Sequence, residues 1–259
     1  VDIPSYYTLI RAGENEESPD LGFINDTFNH VILCIPFKND TTWLECTSNT
    51  QPFGRLGVFT ENRSALLITS DGGKLVKTPV STKDDNHFNS ETIVYLSEDG
   101  SAKAKLRLKA RGEYREMYIG CSYQKTDDQK AFFIQSLNLK QPDLFKINYG
   151  DDKEGVKEID LEIEYRKFSE MVAGDKLFYR PRLFDIWQNT FPAMEERKTD
   201  YYFEHPLSKT SSTTFQLPAN LEVETVAADV SLKFSYGSYE TSYIYDKANN
   251  TLKTIVKFE

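Results

Sequence analysis

Residues 28–48 read FNHVILCIPFKNDTTWLECTS: an apolar segment carrying a histidine, a polar turn, then a second short run through Trp43 and Glu45. Strand rise and alternation limit what its reactive groups can do together. On a strand from Phe28 to Phe37, His30, Ile32 and Cys34 share one face and Val31, Leu33, Ile35 and Phe37 the other. Both faces are largely apolar, the pattern of a strand covered on both sides. His30 and Cys34 lie about 13 Å apart at ~3.3 Å per residue. That excludes a nucleophile–base contact, which takes ~3 Å. A two-residue turn at Phe37-Lys38 sets His30 opposite Glu45, whereas one at Asn39-Asp40 sets Glu45 opposite Cys34. Either register keeps Glu45 on the His30 face and turns Cys46 to the opposite one. The stretch predicts a hairpin with His30 and Glu45 on one face and no nucleophile beside them, which by spacing alone reads as a satisfied structural histidine or as a base with its orienting carboxylate.

The rest of the chain limits the chemistry further. Its 259 residues suffice for one large or two modest domains. A formal net charge of -9 argues against nucleic acid or anionic membrane as the main partner, since both need a positive surface. No apolar run approaches the ~20 residues of a membrane span, and none resembles a signal peptide. Cys34, Cys46 and Cys121 lack metal-ligand spacing and are expected to be small buried hydrophobes. No cofactor or metal motif is found; the acidic run Asp151-Asp152-Lys153-Glu154 lacks the alternating ligands and glycine of a calcium loop. The opening Val1-Asp2-Ile3-Pro4 reads as the approach to a strand, so a fragment or processed product is expected.

Strands dominate. Ser5 to Arg11, Phe28 to Phe37, Thr42 to Thr47, Ala65 to Thr69 and Lys74 to Thr78 are followed by a polar, aperiodic stretch, Ser81 to Asn89. A domain boundary is placed there, dividing 1–85 from 86–259. Beyond it, Thr92 to Leu96 and Ala102 to Ala110 flank the turn Ser97-Glu98-Asp99-Gly100. One helix is predicted, Asp127 to Leu137, capped by Asp127 or Asp128. Val156 to Phe168 alternates as a strand with one wet face. Runs at Thr213 to Leu217, Leu221 to Val226, Val230 to Tyr236, Tyr239 to Tyr245 and Thr251 to Phe258 suggest a β-sandwich. The predicted class is mainly β, α+β overall: an antiparallel sheet, then a β-sandwich with one helix. Its tyrosines (Tyr179, Tyr201, Tyr202, Tyr236, Tyr239, Tyr243, Tyr245) read as strand residues rather than a sugar- or peptide-binding face. The mixed charge run Glu195 to Lys198 reads as a solvated turn.

His30, a strand, a polar turn and Trp43-Leu44-Glu45-Cys46-Thr47 resemble the second half of a transglutaminase-like core, where a histidine strand precedes one ending in Trp-x-Asp-x-Thr. More closely, Phe28-Asn29-His30-Val31-Ile32, Trp43 to Ser48, Pro52-Phe53-Gly54 and Asp71 to Val76 resemble transglutaminase-like proteins of Bacteroidota, often labelled proteases. The resemblance covers about the first eighty residues. It implies a papain-type Cys-His-Asp arrangement with His30 as general base and Glu45 in the aspartate's place. The nucleophilic cysteine would precede Val1, in an upstream part of the same protein, at the start of a helix packed against this sheet, with Ile3 to Arg11 as the strand that follows that helix. The implied activity is that of a cysteine peptidase or acyl transferase on a protein or peptide, without cofactor, exported to the cell envelope. Residues 1–85 would be the C-terminal half of the core and 86–259 a β domain of uncharacterised role, the chain alone being inactive. The alternative is a catalytically dead cell-envelope binding module.

Overall fold

The computed structural model describes residues 3–13, 27–38, 40–153, 155–169, 171–174, 176–187, 198 and 203–259. The chain divides into two compact units, Val1–Asn86 with Thr199–Pro206, and His87–Lys198 with Leu207–Glu259. The class is mainly β, with two helices among the described residues.

The first unit is a five-stranded antiparallel sheet ordered β3-β2-β1-β4-β5. Its strands are β1 (Tyr6–Ile10), β2 (His30–Phe37), β3 (Asp40–Leu44), β4 (Ser64–Thr69) and β5 (Gly72–Lys77). Alternation gives it one dry face, where Ile10, Ile32, Cys34, Trp43, Ala65 and Leu67 pack as a core. The opposite face is wetter than the apolar pattern of β2 suggests: Tyr7, Ile68 and Leu75 are exposed and Val31 and Leu33 half-buried. Across the β2–β3 turn Phe37 pairs with Asp40, and Cys34 with Trp43. This register lies midway between the two that turn chemistry suggests. Neither Phe37 nor Asp40 is spent in the turn, because they form its closing pair. The three registers differ by two residues at a time, so each leaves Glu45 on the His30 face. Asn39, part of the expected turn, lies outside the described residues.

The second unit joins eight strands in one sheet, ordered β13-β14-β15-β12-β6-β7-β9-β8. They are β6 (His87–Leu96), β7 (Ala102–Arg111), β8 (Leu144–Lys153), β9 (Val156–Tyr165), β12 (Ser208–Gln216), β13 (Val230–Phe234), β14 (Gly237–Asp246) and β15 (Thr251–Phe258). A short ribbon pairs β10 (Met171–Ala173) with β11 (Lys176–Phe178). Spacing alone suggests two stacked sheets. Instead β12 runs parallel to β6 over Ser208–Gln216, fusing two antiparallel groups into one ladder. A parallel pairing between strands more than a hundred residues apart leaves no turn signal to read. Leu221 to Val226, expected as a strand, pairs with no strand of the sheet.

One face of this sheet is an ion-pair ladder. Lys103, Arg107 and Lys109 on β7 pair with Glu164, Asp160 and Glu158 on β9. The other face buries Leu106, Leu108, Ile159, Leu161 and Ile163 under two helices, α1 (Glu113–Ser122) and α2 (Thr126–Ser136). One helix was expected; α1 has no apolar stripe because its buried row opens on a charge, Arg115, followed by Tyr118 and Ile119. Arg115 is satisfied by a two-toothed ion pair to Asp152 and a contact to Glu116. Gly112, at φ 62, lets the chain swing directly from β7 into α1. For α2, Lys125 occupies the N-cap without a side-chain cap, and Asp127 and Asp128 sit in the first turn rather than capping it. There they complement the helix dipole.

Candidate active site

His30 opens β2 opposite Ile10 of β1. Its place is set by the residue before it. The Asn29 side chain accepts from the Ala12 N–H at 2.7 Å and donates to the Ala12 carbonyl at 2.9 Å, while the Asn29 N–H donates to the Ile10 carbonyl. This imitates a ladder pair and pins the end of β1 to the start of β2. Glu45 is the first residue past β3. Continued one step, the β2–β3 register brings it level with Ile32, diagonal to His30, and a glutamate is long enough to close that diagonal.

His30 Nε2 lies 3.1 Å from Oε1 and 3.0 Å from Oε2 of Glu45. The Glu45 side chain is fully buried and that of His30 is 18 % exposed. Oε1 also accepts from the Thr47 hydroxyl at 2.6 Å and the Thr47 N–H at 3.0 Å. Burial by itself pushes the Glu45 carboxyl up; the hydrogen bonds from Thr47 and His30 outweigh it and hold the group below its ordinary range. An ionised carboxylate only accepts, so Nε2 carries the proton and Nδ1 of the neutral ring is the acceptor. Among the described residues no group bonds to Nδ1. This is the electronic arrangement of a general base with its tautomer fixed from behind.

Because the Glu45 pKa is depressed on folding, its stabilisation is fully present above the unfolded carboxylate value of about 4.3. It is lost as pH falls through the depressed native value. Unfolding midpoints of the chain and of Glu45→Gln, measured in urea from pH 7 to pH 3, are expected to converge at the acid end. A gap that stays constant or widens on acidification contradicts a depressed Glu45.

The ring of Phe59 meets His30 edge-on, with centroids 5.7 Å apart. Gly57 makes room for it: a Cβ there would fall 2.9 Å from the Phe59 ring. The Gly57 carbonyl accepts the N–H groups of Thr60 and Glu61, and the Phe59 carbonyl accepts that of Gly13, so the loop cannot simply back away. Gly57→Ala is expected to displace Phe59, shift the His30 imidazole resonances and cost about 1–3 kcal/mol of stability. Chemical denaturation and histidine NMR check it, and unchanged resonances would show the ring can yield.

The cysteines do not join this pair. Cys34 is buried beside Trp43 on the dry face, and burial pushes its thiol up. Cys121 is buried in the second unit, accepting from the Tyr149 hydroxyl at 3.6 Å. Cys46 departs from the expected burial. It is exposed, its thiol turned to the Leu44 carbonyl at 3.7 Å, because it follows Glu45 on the outward side of a strand end. Among the described residues no cluster of three His, Cys, Asp or Glu side chains is placed to hold a metal. Asp152 of the acidic run is committed to Arg115, and Glu154 lies outside the described residues.

Of the tyrosines singled out in the sequence, Tyr179 stacks on Phe168, Tyr239, Tyr243 and Tyr245 are half-buried, and Tyr236 is exposed. Tyr201, Tyr202 and the run from Glu195 to Arg197 lie outside the described residues. Sequence reasoning gave no role to Thr47, Asn29 or Phe59. The signal for Thr47 was its spacing: a hydroxyl two residues after a carboxylate at a strand end can close back on it. Phe59 had no comparable signal, since its approach depends on the fold of the loop. No described helix is long and apolar enough to cross a membrane.

Among known proteins, a family model described as "Domain of Unknown Function with solved-structure structure (DUF3858)" matches residues 175–259, which belong to the second unit apart from Thr199–Pro206 and do not include His30 or Glu45. No curated protein matches the chain. The crystal structure of a putative protease from Parabacteroides distasonis is similar at 9 % identity and a TM-score of 0.44, covering 99 % of this chain and 34 % of that one. The chain therefore spans about a third of the length of that protein.

Proposed function

We propose that His30 and Glu45 are the general base and orienting carboxylate of a transglutaminase-like cysteine peptidase or acyl transferase, whose thiol is supplied by a segment preceding Val1. The reading rests on one observation above the others: both Glu45 oxygens contact Nε2 while Nδ1 is left as an acceptor. The three cysteines within the chain are turned elsewhere, buried or held by other partners. Nδ1 takes the thiol proton, and the thiolate attacks the carbonyl carbon of a peptide or glutamine-type amide. The C–N bond breaks as Nδ1–H returns its proton to the leaving amine. Water or a second amine then attacks the thioester, with His30 again taking the proton. Glu45 stabilises the imidazolium formed in each half. On this reading the 259-residue chain alone has no turnover.

The test is made on the protein extended upstream of Val1, assayed for peptide hydrolysis and for amine release from glutamine amides. Activity should be abolished by thiol alkylation, and His30→Ala should lower kcat by about 10²–10⁴-fold. Undiminished activity after alkylation or in His30→Ala overturns the reading. Peptide or glycan binding without turnover by the extended protein would instead favour the binding-module alternative.

A further inference from the structure

Thr47 sits where a side chain can decide how the pair works without touching substrate. Its hydroxyl and its N–H both reach the same oxygen of Glu45, Oε1, at 2.6 and 3.0 Å. Its own position is held from the far side. The Ser48 hydroxyl accepts from the N–H groups of Thr50 and Gln51, both at 3.2 Å, so the chain beyond Thr47 is locked in a turn. A glutamate has one more rotatable bond than an aspartate, and its carboxylate swings free unless something fixes it. Here two donors on Oε1 fix it, leaving both oxygens almost equidistant from Nε2. Removing the hydroxyl would leave a buried oxygen one donor short, which the carboxylate relieves by rotating toward Thr47's N–H or toward solvent.

We propose that Thr47 is the positioning residue of this site, clamping the longer Glu45 carboxylate against Nε2 so that the neutral His30 ring keeps its proton on Nε2 and its lone pair on Nδ1. The inference rests on the His30–Glu45 reading above and adds the device that lets a glutamate serve there. The positioning residue acts through Glu45, so its signature is a change in the imidazole rather than in folding alone.

The test reads the tautomer directly, by ¹⁵N chemical shifts of the neutral His30 ring in the 259-residue chain, without any activity assay. The unsubstituted chain should show the Nε2–H tautomer in excess. Thr47→Val, which keeps the shape and the N–H, should lower that excess about tenfold. Thr47→Ser, which keeps the hydroxyl, should restore it. An Nδ1–H tautomer in the unsubstituted chain overturns the proposal whether or not any variant folds. So does a Thr47→Val ratio equal to the parent's, or a Thr47→Ser that fails to restore it. Failure of the underlying pair has a different mark: Glu45→Gln would leave the tautomer ratio where it was.

Discussion

Glu45→Gln is expected to invert the His30 tautomer and lower kcat of the upstream-extended protein by about 10⁴-fold, while leaving the fold intact. The glutamine matches the glutamate in size, and its amide oxygen can keep both donors of Thr47. Its NH₂ then faces Nε2, two donors cannot meet, and the ring must move its proton to Nδ1. That is the atom required as acceptor. Turning the amide over does not help, because its NH₂ would then confront the Thr47 N–H at a fully buried position. Ring ¹⁵N shifts check the tautomer, and turnover checks the consequence. An inverted tautomer with unchanged turnover would separate the pair from the chemistry. An unchanged tautomer would mean that Glu45 does not control the ring.

Phe133→Ala is expected to be the most destabilising single truncation in the second unit, costing about 3–5 kcal/mol. Phe133 is fully buried and lies flat on Tyr118 of α1 at 5.5 Å, edge-on to Phe132 at 5.5 Å and tilted against Phe145 of β8 at 6.4 Å. One ring thus joins both helices to the sheet, and its removal loses aromatic contacts on three sides as well as leaving a cavity. Urea unfolding monitored by far-UV circular dichroism measures the cost. A loss below about 1 kcal/mol would show that the helices repack without it.

How much of this was legible in the sequence differs from element to element. The strand read at Val156 to Phe168 was plain as far as Tyr165, where β9 ends, because alternation puts Ile159, Leu161 and Ile163 in the core and acids in water, a pattern local to the strand. Helix α1 was hidden, because its buried row begins with Arg115, whose charge is cancelled by Asp152 from a distant hairpin. The second sheet's continuity was hidden too, since β6 and β12 meet in parallel with a long stretch of chain between them. His30 and Glu45 were legible as sharing a face, while the register that makes them diagonal neighbours was not.

The sequence by itself determined what depends on parity and composition: a mainly-β chain, a hairpin with His30 and Glu45 on one side, and Cys46 on the other. These follow from the two-residue repeat of a strand, which any register shift by two preserves. Only the tertiary structure decided what depends on ångström distances. It set which imidazole nitrogen meets the carboxylate, placed two Thr47 donors on Oε1, and brought Phe59 onto the His30 ring across Gly57. Those contacts come from where β3 ends and how the loop after it folds back, and no repeat in the chain encodes either.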